Sequence, residues 1–156
     1  MENSINKNKK AYLSFRLCNE LFAISVFNVL EILEMQHITL IPQAPETLKG
    51  VINFRGNVLP VIDVRKKLNM LSRQEDQKYV IIVLEIINDE NKILIGAMVD
   101  AVNDVIELEP TKITDLPQFG FTYQIDYVLG MYNTGSGFMM FLDVNRLFAD
   151  EEIPNL

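Results

Sequence analysis

Ile38-Thr39-Leu40-Ile41-Pro42-Gln43 returns 75 residues later as Ile113-Thr114-Asp115-Leu116-Pro117-Gln118, and the chain on either side of it follows suit. At that same offset Ile24, Phe27, Leu30 and Leu33 match Val99, Val102, Val105 and Leu108. After a small insertion around Phe121 to Asp126, Leu48-Lys49-Gly50 corresponds to Val128-Leu129-Gly130, Asp63-Val64 to Asp143-Val144 and Leu68 to Phe148. One coincidence of this kind carries little weight. An ordered series with a single insertion predicts an internal duplication.

Each half reads as a hairpin, a central strand, a Pro-containing connection, a second hairpin and a short helix. Tyr12 to Leu17 alternates apolar residues with Ser14 and Arg16, the period of a half-buried strand, and Cys18-Asn19-Glu20 offers a turn before Leu21 to Ile24. Tyr79 to Ile87 opens the second half as a β-branched run, followed by the polar turn Asn88 to Asn91 and a strand from Lys92 to Val99. Ile38-Thr39 reads as a further strand. Leu59 to Ile62 and Phe138 to Leu142 are the last strands of the halves. Pro60 suits a strand start or edge, where no ladder donor is needed. Asp63 and Asp143 are placed to cap helices over Val64–Leu71 and Val144–Ala149. Five or so short strands per half, with no long helix, predict an all-β protein of two small barrels. Lobes of about 12–75 and 76–149, open to exchange of strands, would lie between polar tails at 1–11 and 150–156.

Composition narrows the function. Of 156 residues 49% are apolar, enough for a core, and 21 acidic side chains outnumber 14 basic ones. That balance gives no general reason to bind phosphate backbones or anionic lipid, and a single-stranded nucleic-acid reader would need a basic groove with exposed aromatics. Met1 to Lys10 lacks the apolar stretch of a secretory leader, and the Tyr79–Ile87 run is too short to cross a bilayer. Cys18 is the one cysteine, which excludes an intrachain disulfide and suits the cytoplasm.

Catalytic chemistry finds few assets. A nucleophilic site would have to run through His37, the one histidine, and one Cys with one His cannot make a structural zinc site. Gly135-Ser136-Gly137 falls between strands, not at a phosphate-cradling strand-to-helix turn. Asp100, Asp104, Glu107 and Glu109 are interleaved with the apolar repeat positions Val102, Val105 and Leu108, the pattern of a solvated face. No catalytic residue, metal or cofactor is expected. A hydrolase built on His37 and these carboxylates is the remote alternative.

Ala44 to Arg65 contains Pro45, Gly50-Val51, Asn53, Arg55-Gly56, Pro60, Asp63 and Arg65 in the spacing P-x-x-x-x-G-V-x-N-x-R-G-x-x-x-P-x-x-D-x-R. This stretch resembles the hallmark of CheW-like domains. Phe22-Ala23-Ile24 with Val29 to Ile32 upstream, and Gly96 to Val102 downstream, fit the same family, so the resemblance covers about residues 12 to 149. It implies two intertwined five-stranded lobes, each similar to an SH3 domain. It also implies a non-enzymatic scaffold that binds the regulatory domain of a CheA-type histidine kinase and the cytoplasmic hairpin tip of a chemoreceptor. The protein would then be recruited to receptor arrays at the inner membrane, with self-association in those arrays permitted. An adaptor of a pili or gliding pathway is the closer alternative.

Residue by residue, the resemblance places the receptor groove at Val29, Glu31, Ile32, Asn53, Arg55 and Gly56, with Val80 contributed by the second lobe. Glu31 and Arg55 are expected on neighbouring strands, paired across the groove between lobes. Ile38 and Leu40 are the kinase-contact candidates. Phe54 departs from the family pattern, standing where an aliphatic residue is commoner.

Overall fold

The computed structural model describes residues 8–116 and 126–151. Ten strands form two antiparallel-rich sheets: β1 (Lys10–Leu17), β2 (Glu20–Ser25), β3 (Val29–Leu33), β4 (Leu48–Phe54), β5 (Asn57–Asp63), β6 (Val80–Asn88), β7 (Asn91–Val99), β8 (Ala101–Leu108), β9 (Val128–Asn133) and β10 (Phe138–Leu142). One sheet runs β8-β1-β2-β10-β9 and the other β3-β6-β7-β5-β4. Neither sheet is one contiguous half of the chain. The hairpin that opens each repeat is inserted into the sheet of the other, so no cut near residue 75 separates the lobes. The parallel pairs β2–β10 and β5–β7 are the seams of that exchange.

The duplication recurs in atomic detail. Thr39 pairs with Val51 and Thr114 with Met131 by matched isolated bridges. Gly50 (φ 155°) and Gly130 (φ 152°) lie against the carbonyls of Thr39 and Thr114, where a β-carbon would overlap the oxygen. Only glycine fits both the backbone and the space. The β1–β2 turn at Cys18-Asn19 and the β6–β7 turn at Asp89-Glu90 both hold two residues at positive φ, the twist that two-residue hairpins need.

Two expected elements are shorter than the sequence suggests. Asp63 and Asp143 do cap helices, but α1 spans Val64–Lys67 and α2 Val144–Leu147, one turn each. After α1 the chain enters the left-handed region at Asn69 (φ 56°), which ends the helix. The Ile38-Thr39 strand is reduced to the single bridge at Thr39. Pro117-Gln118, the insertion at Phe121 to Ile125, and the ends at 1–7 and 152–156 lie outside the described residues.

Exchange explains the apolar run at Tyr79–Ile87. Ile82, Leu84 and Ile86 face a core shared by both sheets, with Leu13, Phe15, Leu17, Phe22 and Ile24 opposite. Ile81 and Val83 point the other way, into the lobe interior with Ile52, Phe54, Leu59, Val61 and Met98. A strand buried on both faces cannot alternate with polar residues. The second lobe has its own interior of Tyr12, Ala23, Leu108, Met139 and Phe141. Ser14, fully buried beside a β1–β8 bulge, accepts from the Asp104 amide (3.0 Å) and donates to the Asp104 carbonyl (2.9 Å), satisfying both backbone groups.

Candidate functional site

The site begins at a two-residue turn. Phe54 pairs with Asn57, leaving Arg55 (φ 52°) and Gly56 (φ 83°) as the loop between β4 and β5. The Asn53 side-chain oxygen accepts from the Gly56 amide at 2.9 Å, which holds the turn closed. Arg55 extends from it, 63% exposed, and its Nη2 donates to Glu31 Oε2 at 3.1 Å. The guanidinium carbon sits 4.8 Å above the centre of the Phe54 ring, and Phe54 itself is buried in the lobe interior.

The expected pair therefore forms, but not where the family resemblance placed it. β3 and β4 are the two outer strands of one sheet and share no ladder. Glu31–Arg55 joins the two outer strands of a single curled sheet, beyond the Thr39 bridge on β4, so it is an intralobe clasp and not a bridge between lobes. Val80 also changes its assignment: β6 is inserted beside β3, so Val80 shares that sheet with the other candidates. Val29 and Val80 are half-buried and pack on the shared core. Ile32 is exposed, and Asn53 and Gly56 serve the turn.

Besides the groove candidate Ile32, the apolar residues Phe27 and Leu30, read as repeat positions, and Val58, passed over, are exposed. Leu30 and Ile32 are exposed on β3, alternating with Glu31, and Val58, opposite Asn53, is exposed beside the turn. Phe27 is 92% exposed on a tight 3-10 turn. Ser25 accepts from its amide (3.3 Å) and Asn28 donates to the Glu85 carbonyl (3.0 Å), so the ring is held outward. Their signal in the sequence is an edge strand, Val29 to Leu33, apolar on both faces around one glutamate. Of the kinase-contact candidates, Ile38 packs against the lobe interior while Leu40 is 69% exposed.

A second ionic cluster lies apart from this margin. Asp100, read as part of a solvated acidic face, accepts from Arg65 Nε (2.8 Å) and Nη2, from Arg73 Nη2 and from the Cys18 amide (2.8 Å). Both arginine side chains are 7% exposed. Burial acts to raise the Asp100 carboxyl, but the donors Arg65, Cys18 and Arg73 outweigh it and hold the group below its ordinary range. Arg65 Nη1 also donates to the Leu71 carbonyl (3.2 Å), so the cluster fastens the segment between the repeats to the β1–β2 turn. Asp104 and Glu107 are exposed on β8, a strand, and His37 is exposed on a loop.

A model of the CheW-like domain matches residues 11–152. The chain belongs to that family. It is 32% identical to the chemotaxis protein CheW of Klebsiella aerogenes over 91% of this chain and 83% of that protein. It is 34% identical to the CheW of Bacillus subtilis over 72% of this chain and 69% of that one. The crystal structure of the scaffolding protein TtCheW from Thermoanaerobacter tengcongensis superposes with a TM-score of 0.76 and 31% identity, covering 94% of this chain and 97% of that one. The all-β, SH3-like architecture and the scaffold class expected from the CheW-like motif agree with these matches. No described helix is long and apolar enough to cross a membrane.

Proposed function

We propose that this CheW-like chain is a non-enzymatic adaptor of the cytoplasm that couples the hairpin tip of a chemoreceptor to the regulatory domain of a CheA-type histidine kinase. The observation that carries the reading is the exposed Glu31–Arg55 clasp at the margin of a sheet whose strands β3 and β5 also present the exposed aliphatic side chains Leu30, Ile32 and Val58. A helical hairpin presents aliphatic knobs with polar flanks, and an apolar margin around one oriented charge pair complements it. Val29 and Val80 support that surface from beneath, and Asn53 and Gly56 close the turn that carries Arg55. Leu40, with Ile38 anchoring its segment, is the contact offered to the kinase.

Such a scaffold acts by geometry. For receptor state to reach the kinase, the adaptor must make different contacts in the two signalling states, because equal binding to both shifts nothing. The test is a pull-down of the purified chain against the CheA-type kinase of the same cell and against its isolated regulatory domain, alongside kinase assays with and without the adaptor. Binding to that domain, together with basal phosphorylation unchanged and receptor control lost in its absence, is the expected result. A kinase that still answers to its receptor without this chain rules the proposal out.

A further inference from the structure

Resting on that function, we infer that Phe54 is a positioning residue that fixes the direction of Arg55 for the partner. Arg55 has a long, freely rotating side chain on an exposed turn, and a surface ion pair alone restrains such a group weakly and fades with salt. Here two contacts of different kind meet one guanidinium. Glu31 takes Nη2 at 3.1 Å, and the Phe54 ring lies beneath the central carbon at 4.8 Å. The ring cannot yield, because its other surroundings are Ile52, Leu59, Val61, Ile81, Val83 and Met98, all packed in the lobe interior. One contact fixes an edge of the guanidinium and the other its height over the sheet. Nε and Nη1, which have no protein acceptor among the described residues, are left facing a partner with little freedom to lose on binding.

An aliphatic residue at position 54 would fill the interior but offer no π face to the cation. Phe54 therefore makes this clasp less dependent on the ion pair, and so less sensitive to salt, than a Leu in its place.

The experiment compares wild type with Phe54→Leu, Phe54→Tyr and Ile95→Val, the last a core truncation in the same sheet but outside the cluster that holds the Phe54 ring. In the free protein, exchange of the Arg55 Nε proton is followed by NMR between 50 and 500 mM salt. Binding to a purified soluble fragment of a chemoreceptor hairpin is titrated over the same range. We expect Phe54→Leu to speed Arg55 exchange, to weaken binding about threefold and to steepen its salt dependence. Phe54→Tyr, which keeps the π face, should retain the wild-type salt slope, and Ile95→Val should lower the melting temperature without changing that slope. Unchanged Arg55 exchange in Phe54→Leu, or an equal change in Ile95→Val, overturns the inference whatever the binding shows. A wild-type chain that binds no receptor fragment defeats the proposed function instead, and the exchange measurement still decides the role of Phe54.

Discussion

Glu31 and Arg55 meet at 3.1 Å although β3 and β4, the strands that bring them there, stand at opposite margins of a five-stranded sheet. The sheet curls until its two outer strands approach one another, Thr39 bridging β4 at Val51, and the pair joins them at the turn. Arg55 does this from the left-handed region, at a turn position where Asn or Gly is locally preferred. An arginine held there costs about 1 kcal/mol of backbone strain, while an ion pair this exposed returns about 0.5 kcal/mol. The side chain is thus retained at little or no net gain to the fold. Arg55→Asn should leave the urea midpoint within about 0.5 kcal/mol of wild type while weakening capture of a receptor hairpin tenfold or more. Arg55→Glu, which sets two carboxylates face to face, should be worse for binding and still folded. A loss of secondary structure in either variant would make Arg55 a packing residue.

How far this was legible in the sequence depends on the range of each interaction. The duplication could be read because Thr39 and Thr114, Gly50 and Gly130, and Asp63 and Asp143 answer local needs (a bridge, a close approach, a cap) that repeat with the fold. The CheW-like motif led to Glu31 and Arg55, and both lie in one clasp. That the lobes intertwine was legible only through the family resemblance. Which hairpins cross was not legible, because local pattern forms each hairpin equally well in either lobe, and Val80 and the strand neighbours of the clasp were misplaced for that reason. Phe27, Leu30 and Val105 matched as apolar repeat positions, yet all three are exposed. Apolar periodicity does not separate a core from a surface awaiting a partner. Arg73 escaped notice because its acceptor, Asp100, comes from a distant strand end.

The Asp100 cluster should govern stability in acid. Its carboxyl lies below the ordinary value in the folded protein, so the stabilisation it gives is complete above the unfolded pKa, about 3.9, and is lost as pH falls through the folded value. Asp100→Asn leaves Arg65 and Arg73 buried without their counter-charge and should cost about 3 kcal/mol at pH 7. The difference between variant and wild type should shrink as pH is lowered from 5 towards 2, followed by urea midpoints at each pH. A constant difference over that range would mean that Asp100 contributes by shape and not by charge.

Gly130→Ala tests the close approach that the two repeats share. The added carbon overlaps the Thr114 carbonyl oxygen and meets Ile113 Cγ2 at 2.7 Å, on a backbone that disfavours any side chain. A cost of about 2 kcal/mol or more is expected, read as a lower melting temperature. Gly56→Ala, at positive φ but with no atom within 4 Å of the new carbon, should cost less. Equal effects would assign the penalty to backbone alone.

The hairpin exchange has the largest consequence for folding. β1 and β2 lie between β8 and β10, and β6 and β7 lie between β3 and β5, so each half of the chain carries the middle of the other half's sheet. A fragment of residues 76–156 would leave β8 without its neighbour β1 and would expose Ile82, Leu84 and Ile86, which the first half covers. Burying each of those side chains is worth roughly 2 kcal/mol, so neither half has a sufficient core alone. Fragments 1–75 and 76–156 should each give the circular dichroism of an unfolded chain, and mixing them should restore the sheet signal at one-to-one stoichiometry. The intact protein should unfold in a single transition. A half that folds alone, or two separate transitions in the whole chain, would show that the shared core is not what holds the lobes together.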